Sequence, residues 1–154
     1  MHFRITGLPA APFSALFDLS DDELAARSAV RRIATESPGF PCRISLSDAD
    51  VGAEVILINH EHLAVASPYR SRHAIYVRRG ETQFDAIDAV PEMLRRRLLS
   101  LRGFDAHGMM TAADVAEGRD LEVLIERLLA DRATAYLHAH IARPGCYAAR
   151  IERA

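Results

Sequence analysis

The segment from Ala135 to Glu152 constrains the fold more tightly than any other stretch. Ala135 to Ala142 and Cys146 to Glu152 read as two strands joined through Arg143-Pro144-Gly145. Strand side chains alternate between faces, so residue parity fixes the face each side chain occupies. Leu137, Ala139 and Ile141 are the apolar set of the first strand, and Tyr147, Ala149 and Ile151 that of the second. A three-residue loop pairs Ala142 with Cys146, Ile141 with Tyr147 and His138 with Arg150, which keeps both apolar sets on one face. A two-residue loop mixes the faces. The opposite face is then expected to carry His138, His140, Cys146 and Arg150 together.

Other elements follow from local signals. Phe3 to Thr6 reads as a first strand, followed by a loop around Pro9 and Pro12. Ser20-Asp21-Asp22-Glu23 has the capping-box pattern and predicts a short helix to about Arg27. Val30 to Thr35 reads as a strand ended by Ser37-Pro38-Gly39. Cys42 to Leu46 and Val55 to Asn59 look like a hairpin turned at Asp48 to Gly52. His73 to Arg78 is a further strand, after a long loop from His60 to Arg72. Pro91 suits the first turn of a helix whose buried side is Met93, Leu94 and Leu98, and Leu99 to Phe104 reads as a strand. Asp105 and Asp114 flank an irregular stretch from Ala106 to Thr111. Leu121, Leu124, Ile125, Leu128 and Leu129 recur at helical spacing, which predicts a helix over Leu121 to Ala130. No repeat or linker divides the chain. The expected fold is α+β: a single domain over residues 1–154, with a mostly antiparallel mixed sheet and two or three helices packed on one face.

Composition narrows the function classes. With 154 residues, 49% hydrophobic and 26% charged, the chain can bury a core without disulfide or metal staples. No signal-peptide pattern opens the sequence and no apolar run approaches the roughly 20 residues of a membrane helix. A cytoplasmic protein starting at Met1 and without membrane partners is therefore expected, with two cysteines as free thiols. All 19 basic residues are arginine, an arginine-rich, lysine-free composition. That excludes a Schiff base, a pyridoxal phosphate anchor and the lysine of a P-loop or kinase site. The net charge of -2 supplies no global field for nucleic acid, and Arg95 to Arg97 beside Glu92 read as a solvated helix face.

Three groups of side chains could carry chemistry. Cys146 beside imidazoles and arginines could act as a nucleophile with His140 as its base; alternatively it is a small buried residue at a strand start. His-x-His occurs at His60/His62 and at His138/His140, a spacing that lets a strand aim both rings at one cation. Surface or hydrogen-bonded histidines are the other reading. His73 looks like a core edge residue. Arg43 and Arg143 flank the two cysteines, with Arg150 near in the expected pairing and Tyr69-Arg70 in the long loop, a set suited to a carboxylate or phosphate. Salt bridges or a solvated sheet face would explain the same arginines. Glycine-rich phosphate loops, nucleophile elbows, zinc-protease helices and Cys-x-x-Cys pairs are absent.

At Phe40-Pro41-Cys42-Arg43, Ser67-Pro68-Tyr69-Arg70, Leu99-Ser100-Leu101-Arg102 and Arg143-Pro144-Gly145-Cys146-Tyr147, the chain resembles a small bacterial family classed only as a domain of unknown function. The resemblance covers the whole chain and implies no activity, substrate or cofactor. Two expectations from different classes follow. One is a small cytosolic enzyme acting on an anionic small molecule, with Cys146 as nucleophile, His140 as base, and Arg43, Arg143, Arg150, Tyr69 and His138 around the ligand. The other is a non-catalytic domain that binds a ligand, a partner, or a metal through His138 and His140.

Overall fold

The computed structural model describes residues 1–154. Its strands divide between two sheets rather than forming one. Strands β1 (Phe3–Thr6) and β2 (Ala29–Ile33) flank a 3-10 helix at Ala11–Asp18 and helix α1 (Asp21–Ala25). Next come β3 (Pro41–Cys42), β4 (Ser47–Asp48), β5 (Glu54–Leu63), β6 (Ser71–Val77), β7 (Asp85–Ile87) and helix α2 (Glu92–Arg95). Strands β8 (Leu98–Phe104) and β9 (Met110–Glu117), helix α3 (Leu121–Leu129), and strands β10 (Tyr136–Ile141) and β11 (Tyr147–Arg153) complete the chain. The first sheet has the order β7-β1-β11-β10-β8-β9 and the second β2-β5-β6-β3-β4. Every pairing is antiparallel except β3 with β6.

Each sheet has an apolar face that must be covered, and the helices are shared between them. Leu101, Leu137, Ala139 and Ile151 of the first sheet pack against Leu121, Ile125 and Leu129 of α3 and Met93 and Leu94 at α2. Ile56, Ile75 and Val77 of the second pack against Phe13 and Phe17 of the 3-10 helix and Leu24 of α1. Helices therefore cover both sheets, which corrects the expectation that they gather on one face. Each fully buried leucine or isoleucine here contributes about 1.5–3 kcal/mol of burial free energy. The Ser20 capping box forms in full, the serine hydroxyl accepting from Glu23 N and the Glu23 carboxylate from Ser20 N.

Other differences have local causes. The expected Cys42–Leu46 strand stops at Cys42, because the chain turns through Leu46 at a φ of 50°. Cys42 instead pairs with Tyr76, and β2 is the partner of β5. Strand β5 continues through Leu63 and takes His60 and His62 out of the expected loop. Pro91 caps α2 from outside, and Leu98 begins β8 rather than joining that helix's buried side. No helix is long and apolar enough to cross a membrane.

Candidate metal centre

Two strand irregularities bring four histidines together. On β5, Glu61 pairs with Arg72 and Leu63 with Ser71, so His62 is the extra residue of a bulge. On β11, Ala149 pairs with Ala139 but Tyr147 pairs with His140, so Ala148 is the extra residue. A bulge re-aims the side chains on one side of it. Here the first turns His62 toward His138 and His140 of β10, and the second brings Tyr147 to their face. The hairpin keeps the expected pairing from Tyr136 to Ala139, including His138 with Arg150. Beyond the bulge, Tyr147 rather than Cys146 shares the histidine face.

His62 lies at the middle of the cluster. Its Nε2 is 2.8 Å from His73 Nδ1 and its Nδ1 is 3.2 Å from His138 Nδ1. Its ring stacks on His73 and on Tyr147, at centroid distances of 4.7 and 4.8 Å and with both interplanar angles at 11°. Ligand atoms of His62, His73 and His140 all lie within 4.8 Å of one another. The three come from β5 and β6 of the second sheet and β10 of the first, so the cluster joins the two sheets.

The protonation pattern suits cation binding. Burial, then the neighbouring His138 and His140, push His62 down to about 2. His138 falls to about 3, mainly by burial and then through His140 and the Arg150 and Arg102 charges. His140 also falls to about 3, with burial the leading cause. His73 is lowered by burial, Arg102 and Arg43. All four rings are thus neutral near pH 7, the state in which imidazole offers a lone pair.

For His140 the tautomer follows from geometry. Its Nδ1 is 3.0 Å from the Gly145 carbonyl, which can only accept, so Nδ1 carries the hydrogen. Nε2 is therefore an acceptor, and it is buried with no hydrogen-bond partner. An orphaned buried acceptor costs about 1–3 kcal/mol. A metal ion at Nε2 would remove that cost, and a backbone carbonyl behind the far nitrogen is the usual outer support of a histidine ligand.

Cys146 lies elsewhere. With Arg43, Arg97 and Arg143 it lines a cavity of about 640 Å3 whose other walls include Leu57, Tyr76 and Ile141. No hydrogen bond joins it to His140; the nearest partner of its sulfur is the Pro144 carbonyl at 3.9 Å. The expected constellation is thus divided in two, His138 and His140 in the imidazole cluster and Cys146, Arg43 and Arg143 at the cavity. Arg150 stacks over Tyr136, 3.9 Å from its ring centroid, and pairs with Glu152 at 3.0 Å. Tyr69 is exposed and packs edge-on against Phe104. Of the His60/His62 pair only His62 joins the cluster; His60 packs against Phe13.

A family described as "protein of unknown function" (DUF1203) matches residues 39–153. The chain belongs to this family. The DUF1203 segment contains all four clustered histidines, Tyr147, Arg43 and Cys146, whereas β1, the 3-10 helix at Ala11–Asp18, α1 and β2 precede it. No curated protein and no solved structure matches the chain.

Proposed function

We propose that the protein holds one divalent transition-metal ion on His62, His73 and His140, with His138 as the outer partner that orients His62. The observation that carries this reading is the buried, unpartnered Nε2 of His140, aimed by the Gly145 carbonyl behind it and close to two further neutral imidazoles. Imidazole suits zinc, iron, copper and nickel, whereas magnesium and calcium require oxygen ligands. No carboxylate belongs to the set. Three protein ligands leave a coordination position for water or a small ligand, the arrangement typical of reactive rather than structural zinc.

The charges around the cluster bear on that open position. Arg102 is paired with His138 across β8 and β10, and its charge helps to lower His73, His138 and His140. A positive neighbour opposes a bare cation and favours one that carries an anion, so the fourth ligand fits best as hydroxide or an oxyanion. His62 and His73 are half-buried while His138 and His140 are buried, which places solvent access on the β5–β6 side.

Calorimetric titration of metal-free protein with Zn(II) tests the proposal. One equivalent should bind, and His73→Ala should reduce affinity more than the roughly 10–100-fold typical of losing an outer partner. His138→Gln should fall within that 10–100-fold range. Equal affinity in native protein and His73→Ala would refute the ligand assignment.

A further inference from the structure

Arg43 is 2% exposed, yet no carboxylate pairs with it. Its Nε donates to the Tyr147 carbonyl at 2.8 Å and its Nη1 to the Pro41 carbonyl at 2.6 Å. Those carbonyls fix the direction of the guanidinium without neutralising it. Burial lowers its pKa to about 10, so the charge persists at neutral pH. A buried charge without a counter-charge is costly, and an anion bound beside it would offset that cost.

The cavity beside it has the corresponding form. Its volume of about 640 Å3 lies within the roughly 300–1,000 Å3 of small-molecule sites. Arg97 on its wall is already neutralised by Asp48, through two contacts at 2.5 and 2.9 Å. Arg143 is exposed and forms no ion pair, which leaves it free to meet a ligand at the rim. Glu36 also lines the space and opposes a doubly charged head. Leu57, Tyr76 and Ile141 supply apolar surface. We infer that this cavity binds a small organic acid, its single carboxylate on Arg43 and Arg143 and its apolar body against Leu57, Tyr76 and Ile141. Cys146 stands at the same wall and reports on the site. The inference does not depend on the metal centre.

The test uses two alkylating reagents, anionic iodoacetate and neutral iodoacetamide, on the native protein at one pH. In each reaction the Cys146 thiolate sulfur displaces iodide and forms one S–C bond. Both reagents meet the same thiolate fraction, so their rate ratio reads the charge of the surroundings alone. Cys42 is fully buried and serves as the unreactive internal control. At low salt the iodoacetate-to-iodoacetamide ratio at Cys146 should exceed that of the urea-unfolded chain by about tenfold. Arg143→Ala, an exposed change that leaves the fold intact, should bring the ratio down several-fold, and Arg43→Met should abolish the excess if that variant folds. Benzoate should protect Cys146 and benzamide should not. A native ratio equal to that of the unfolded chain, or equal protection by benzamide, would overturn the inference.

Discussion

Acid should destabilise the metal-free protein in a pH range where carboxylates contribute little. His138 and His140 are each pushed down to about 3 in the folded chain, against about 6.5 when unfolded. Between those values the unfolded state binds more protons, so stability rises with pH and falls as pH is lowered through 6.5. Each such histidine loses about 2 kcal/mol between pH 7 and pH 5 on the full slope of about 1.4 kcal/mol per unit. His62, pushed down to about 2, loses a similar amount, and together the three remove about 6 kcal/mol, a large part of the 5–15 kcal/mol of an ordinary domain. Urea unfolding in EDTA at pH 7, 6 and 5 reads this directly, and His138→Gln should flatten the dependence by about a third. A free energy of unfolding that is constant over this range would refute the claim that these rings are held neutral in the fold.

Other contacts give three further outcomes. Arg97→Met leaves Asp48, whose side chain is only 7% exposed, as an unpaired buried carboxylate, and should cost about 3–5 kcal/mol in chemical denaturation. Leu137→Ala opens a cavity between β10 and α3 and should cost about 2–5 kcal/mol, visible as a lower Tm. Tyr147→Leu removes the ring stacked on His62 and should weaken Zn(II) binding about tenfold, whereas Tyr147→Phe should leave affinity unchanged.

Much of the β10–β11 hairpin is legible in the sequence because period-two alternation and the Arg-Pro-Gly turn agree. His138 opposite Arg150 follows from parity alone. The reading fails one step later, at Ala148, because a bulge leaves no signature in hydrophobic alternation and reverses the face of every residue on its far side. Tyr147 is moved into the histidine cluster and Cys146 out of it by that single extra residue. His62 is noticeable as part of a His-x-His spacing, but its partner His73 is not. Their meeting depends on the β5 bulge and on contact between two sheets, neither of which is local. Strand β9 is missed for another reason: Met110–Glu117 is an edge strand with three alanines, Asp114 and Glu117, residues of low strand propensity. The 3-10 helix at Ala11–Asp18 lies under two prolines that read as loop. By contrast, the Ser20 box and the leucine periodicity of α3 report their helices correctly, since both signals act within one or two turns.

Co(II) titration of the metal-free protein, followed by visible absorption, reads the metal centre itself. The three-histidine centre predicts intense ligand-field bands that saturate at one equivalent, and their loss in both His140→Ala and His73→Ala. Weak bands of a hexa-aqua type, or saturation unchanged in the two variants, would contradict a metal held by His62, His73 and His140.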